Sequence, residues 1–163
     1  MIGLFLRFCR ILDRATLALA AAAGTLLAGM VLVNVVLRYG FGAGSIKAQD
    51  LAAYAFAVFL ILSLPLALSR GAHVRVEVVS ERLGPTYVRA ADVLAWVLVI
   101  VPLFGLILWA GWRDLAFAWR IGEGSVTPGG LGGLYLVRSA LPLAAGLMIV
   151  QGLAQLLTPR AQG

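Results

Sequence analysis

Four long runs of apolar, small or uncharged residues are spaced along this chain: Ala15–Leu37, Leu51–Ser69, Val93–Trp112 and Ser139–Leu157. As a helix, the first rises about 34 Å, enough to cross a hydrocarbon core of about 30 Å. The others are long enough to cross as well. None of the four shows the polar–apolar alternation of a barrel strand, and backbone in lipid must satisfy its own hydrogen bonds. The pattern predicts an all-α integral membrane protein, one membrane domain over residues 1–163, with transmembrane helices near 15–37, 49–69, 91–112 and 136–157. Pro65, Pro102 and Pro142 fall inside three of these spans. Each removes one N–H and crowds the carbonyl four residues earlier, which predicts local kinks.

The segments between spans carry patterns of their own. In residues 1–14, Arg7, Arg10 and Arg14 recur on one helical face while Leu4, Phe5, Phe8, Ile11 and Leu12 occupy the other. That is the signature of an N-terminal amphipathic interfacial helix. A secretory signal peptide cleaved near Ala18–Ala23 is the competing reading; the apolar run continuing to Leu37 favours retention. In the second loop, Val76, Val79 and Leu83 share a helical face and Glu77 and Glu81 stand four apart, predicting a short interfacial helix. The first loop, Gly40-Phe41-Gly42-Ala43-Gly44, is a tight turn. It brings Arg38 and Asp50 to the same interface, where the expectation is that they pair and fix the hairpin, the alternative being two independently solvated end charges. Ala20, Gly24 and Ala28 recur at four-residue spacing and permit close helix approach. Trp109 and Trp112 fit either an interfacial aromatic belt or a partner surface.

Composition agrees with this class: 62% of residues are hydrophobic, 12% are charged, and the mean hydropathy is +1.00. The net charge of +6 belongs to residues that flank the spans and face anionic headgroups, so the bilayer rather than nucleic acid is the expected partner. Arg7, Arg10, Arg14, Arg70, Arg75, Arg82, Arg89 and Arg160 fall on one side, and Arg38, Lys47, Arg113, Arg120 and Arg138 on the other. The bias places both termini in the cytoplasm.

Little chemistry is available to such a chain. Haem needs axial ligands within the spans, and the single His, His73, lies in a loop. One Cys, Cys9, and one distant His make neither a metal site nor an intramolecular disulfide. There is no nucleotide-binding Gly-rich loop, so neither an enzyme nor a cofactor-binding protein is expected. An ion-coupled carrier should hold ionisable residues in mid-span. None is present here, and Thr25, Gly29 and Asn34 form only a weak polar stripe for a channel.

The run Asn34-Val35-Val36-Leu37-Arg38-Tyr39, the acid Asp50 opening span two, and Gly71-Ala72-His73-Val74-Arg75-Val76-Glu77 resemble the small membrane subunit of the tripartite ATP-independent periplasmic (TRAP) transporters. The resemblance covers nearly the whole chain, including the Gly/Pro-rich stretch Gly122–Gly133. Asp50 stands where members usually carry Glu, and Lys47 near where many carry Trp. The resemblance implies a multi-pass protein of the bacterial inner membrane acting as scaffold for a large membrane subunit. That subunit would take up an organic acid with sodium, the acid being delivered by a periplasmic substrate-binding protein. It also marks Asn34, Arg38, Tyr39, Asp50, His73, Arg75 and Glu77 as family-motif or assembly residues. The alternatives are an accessory subunit of another complex, such as a tripartite tricarboxylate transporter, and a self-contained oligomeric channel or exporter.

Overall fold

The computed structural model describes residues 2–70 and 85–157, and these form four helical rods. Helix α1 is Ile2–Gly40 and α2 is Ile46–Ser69. The third rod, α3, joins an α-helix Pro85–Ala95, a π-helical turn Trp96–Ile100 and an α-helix Val101–Ile121. Helix α4 is Leu134–Leu157. Each contains a stretch long and apolar enough to cross a membrane, so the all-α, four-span architecture is present.

Local chemistry explains where the rods end. After Gly40 the chain folds back with Phe41 and Ala43 donating to the Leu37 carbonyl, and Gly42 adopts φ +63°. Ser45 then caps α2, its hydroxyl accepting from Ala48 N–H, as N-cap serines do. Gly122 closes α3 in the left-handed region, and its N–H and that of Glu123 take up the last free carbonyls of the helix.

Two elements differ from the expected boundaries. The amphipathic lead-in is not a separate helix: residues 2–40 form one uninterrupted rod, because no Gly or Pro breaks the ladder between Arg10 and Thr16. The third rod runs nine residues beyond Trp112, to Ile121, carrying Arg113, Asp114 and Arg120 in helix rather than loop. No breaker intervenes until Gly122. The short helix expected in the second loop falls outside the described residues.

The prolines also behave individually. Helices α2 and α4 continue through Pro65 and Pro142. Pro102 instead lies just beyond the π turn, where Val101 N–H reaches back five residues to the Trp96 carbonyl. A residue lacking an N–H leaves a gap in the i to i−4 ladder, and an added residue in the turn accommodates it.

Packing follows the order α1, α2, α4, α3. The last helix in sequence thus lies between the second and third, with α1 touching it lightly. Ala20, Leu62, Leu66 and Ala144 form the centre, flanked by Val58 and Ile61. Small residues bring the helices close: Ala20, Ala23, Ala140, Ala144 and Ala145 are buried, and Gly24 lies against the Phe59 ring. Of the expected small-residue stripe, Ala20 and Gly24 pack within the chain while Ala28 is exposed. Gly152 of α4 seats the Trp96 indole, which donates to the Ile149 carbonyl at 3.2 Å. No residue in the most apolar stretch of α3 is buried, while Ala118 near its end is fully covered.

These contacts predict opposite outcomes at two glycines. A methyl at Gly152 meets the Trp96 ring at 2.6 Å, so Gly152→Ala should destabilise the detergent-solubilised protein by about 1–3 kcal/mol. Gly29 has nothing within 4 Å, and Gly29→Ala should stabilise it by about 0.5–1 kcal/mol through helix propensity. Reversible denaturant titration followed by far-UV circular dichroism reads both.

Candidate functional site: polar joints at the two ends of the bundle

The polar side chains that organise this bundle lie at its two ends. At the end where α1 turns into α2, Asp50 and Tyr54 stand one helical turn apart on α2 and therefore share a face. Asp50 Oδ2 accepts from Leu131 N–H at 2.8 Å, and Tyr54 OH donates to the Leu131 carbonyl at 3.0 Å. The same carbonyl accepts from Ser125 N–H at 2.8 Å. One peptide segment of the α3–α4 connection is thus held from both sides.

The connection is built to reach this position. Gly130 N–H donates to the Thr127 carbonyl, and Thr127 N–H to Ser125 Oγ. Gly130 lies directly under the Asp50 carboxylate and the Ser125 side chain, with no room for a Cβ. Arg138 Nη2 meets Glu123 Oε1 at 2.9 Å, with the arginine 47% and the carboxylate 22% exposed. Beside them Trp119 Nε1 donates to Ser139 Oγ, whose hydroxyl donates to the Tyr135 carbonyl. The Trp119 and Tyr135 rings meet edge to face at 4.7 Å. Together these contacts clamp the loop and the start of α4 against the end of α3.

The opposite end has its own joints. Ser69 Oγ donates to Asp13 Oδ1 at 2.5 Å, tying the last residue of α2 to the fourth turn of α1. Gln155 Nε2 donates to the Leu68 carbonyl, tying α4 to the same end of α2. One turn inward, Gln151 is 2% exposed and has no hydrogen-bond partner for either side-chain polar atom.

Against the expected assembly residues, the outcome is mixed. Asp50 is engaged, but with the Leu131 N–H rather than Arg38. The expected Arg38–Asp50 pair does not form: Arg38 is exposed and has no ion-pair partner among the described residues. A short carboxylate near the start of α2 satisfies itself on main chain delivered by the folded loop, while Arg38 is exposed. Tyr39 is exposed and Asn34 half-buried on α1. Arg138 belongs to Glu123. His73, Arg75 and Glu77 lie outside the described residues.

Asp13, Ser69, Tyr54, Glu123 and Gln151 had no part in the expected set. Helical spacing offered one clue, since Asp13 falls off the face shared by Arg7, Arg10 and Arg14. No group of three or more His, Cys, Asp or Glu gathers as a metal site among the described residues. The arrangement they do form is mechanical, joining helices and a loop through their ends.

Double-mutant cycles should separate the observed joint from the expected one. Asp50→Ala strands the Leu131 N–H and should cost about 1–3 kcal/mol; Tyr54→Phe should cost about 0.5–1.5 kcal/mol. Because both act on one peptide segment, their effects should be non-additive, whereas Arg38→Ala and Asp50→Ala should add within about 0.5 kcal/mol. A coupling energy larger than that between Arg38 and Asp50 would contradict the geometry.

The family described as tripartite ATP-independent periplasmic transporters, DctQ component, matches residues 27–161 of the chain. No curated protein is matched by it.

Proposed function

The chain belongs to the DctQ component family of tripartite ATP-independent periplasmic transporters, and from that premise we propose that it is the membrane scaffold of one such transporter. It holds a large membrane subunit in place while that subunit takes up an organic acid with sodium, the acid arriving on a periplasmic binding protein. The family match carries this reading, since it extends over three of the four rods entire and the last third of α1. The distribution of polar groups supports it. Among the described residues, Asp13, Arg14, Arg38, Lys47, Asp50, Arg70, Asp92, Arg113 and Arg138 all flank the apolar stretches rather than interrupt them. A protein without an ionisable group in mid-span has no relay through which to couple an ion gradient, so the moving machinery belongs to a partner.

The mechanical features suit a stationary part. Helix α2 is tied to α1 at one end, to α4 at the same end, and to the α3–α4 loop at the other. Such a body resists shear between its helices while a neighbour moves against it. Helix α3 presents a long apolar surface with Trp109 and Trp112 exposed near its outer part, and this is the face we assign to the large subunit. The remaining assignments, the bacterial inner membrane with cytoplasmic termini and assembly roles for His73, Arg75 and Glu77, follow from the same reading.

Affinity purification of the tagged chain from gently solubilised native membranes should recover a large multi-span membrane protein, identified by mass spectrometry. Trp109→Ala with Trp112→Ala should reduce that recovery at least several-fold, as expected when large aromatic anchors leave an interface. The chain emerging alone, in a detergent that preserves other complexes, would refute the scaffold reading. Alanine at His73, Arg75 and Glu77 should lower the yield of the complex without changing the helicity of the isolated chain.

A further inference from the structure

The largest unbalanced charge in the described structure lies where α1 passes the end of α2. We propose that Arg7, Arg10, Arg14 and Arg70 form a binding site for the phosphodiester headgroup of an anionic phospholipid. This inference requires a bilayer but does not depend on the transporter reading.

Successive helical residues turn by about 100°, so Arg7, Arg10 and Arg14 fall within an arc of about 60° on α1. All three are exposed. Asp13, the carboxylate interleaved with them, forms no ion pair with any of them. It lies off that arc, on the side of the α1–α2 seam, and its Oδ1 is engaged by Ser69 at 2.5 Å. The same bond brings close the residue that follows α2, Arg70, which is also exposed. Its Cα can lie only about 3.8 Å from that of Ser69. None of the four guanidinium groups has an ion-pair partner among the described residues. Four cations therefore border a joint that contains one committed carboxylate.

The position along the bundle selects the ligand. Helix α2 has 24 residues and rises about 36 Å, slightly more than the hydrocarbon thickness. Its last residue, Ser69, consequently lies at a membrane boundary, the level at which lipid phosphates reside. Toward the bilayer centre, Leu17, Ala18 and Ala21 continue the arginine arc and are exposed. Two of these side chains are a single methyl, which leaves a shallow lane for an acyl chain directly beneath the bound phosphate. Guanidinium groups bind phosphate oxygens through paired N–H donors. A zwitterionic headgroup brings a cation of its own into this arginine cluster, so the site discriminates in favour of net-negative lipid.

Native mass spectrometry of the detergent-purified chain, given equal amounts of dioleoylphosphatidylglycerol and dioleoylphosphatidylcholine, tests the site. The phosphatidylglycerol adduct should dominate, and its preference should fall by about fivefold for each arginine replaced in Arg10→Gln, Arg14→Gln and Arg70→Gln. Arg113→Gln with Arg120→Gln, on α3, should leave the preference intact. Far-UV circular dichroism and elution volume verify each variant's fold, and the single substitutions serve if the triple one does not fold. Equal retention of the two lipids would overturn the proposal, as would an unchanged preference in the single and triple variants. So would an equal loss in the α3 control, or displacement of the lipid by soluble glycerophosphate.

Discussion

Helix α2 holds the bundle together through hydrogen bonds at its two ends, and the positions of the other three helices depend on them. Within lipid there is no hydrophobic drive for one apolar helix to leave the acyl chains for another. Close packing through small residues and a few well-placed polar bonds must supply the preference. Here the small residues line the middle, at Ala20, Gly24 and Ala144, and the polar bonds stand at the ends, where the alternative partner is water rather than hydrocarbon. Asp13 with Ser69, and Gln155 with the Leu68 carbonyl, secure one end. Asp50 and Tyr54 secure the other by gripping Leu131.

This arrangement explains why the last helix becomes the central one. Helix α4 presents Ala140, Ala144, Ala145, Met148, Gln151 and Gly152 as buried positions, a face narrow enough to fit between two neighbours. Helix α3 meets it through Trp96 on Gly152 at one end and Trp119 on Tyr135 and Ser139 at the other. Between those pegs no residue of α3 before Ala118 is buried. Burial of the two polar atoms of Gln151 without a partner runs against the ordinary cost of such groups in a dry interior. That cost is borne next to Gly152, where the Trp96 ring rests on α4.

The transport assignment rests on a different kind of reasoning from the packing. Family membership identifies the machine to which the chain belongs, while the proposed scaffold part draws its support from spans that hold no ionisable group at their centres. A bundle whose charges and polar joints lie at its ends suits the proposed role of resisting motion rather than undergoing it. The arginines at the α1–α2 joint add a second anchorage, to the lipid headgroups that set the height of the bundle in the bilayer.

The four spans, their helical state and the short first turn were legible in the chain itself, because hydrocarbon thickness and backbone hydrogen bonding leave few alternatives for runs such as Ala15–Leu37. The likeness of Asn34–Tyr39 and of the His73 segment to a transporter subunit was legible for the same local reason, as residues adjacent in sequence. What the chain alone did not disclose was pairing between residues far apart. Arg38 and Asp50 stood close in sequence and opposite in charge, yet Asp50 found a main-chain N–H 81 residues away. That donor exists only once Gly130 has let the α3–α4 loop fold under the carboxylate. Likewise Asp13 read as one charge among several until the end of α2 brought Ser69 to it. Periodicity reports which face of a helix is apolar, but which neighbour meets that face depends on side-chain volume and loop reach in three dimensions. Only the tertiary structure settled that contest, by placing α4 between α2 and α3.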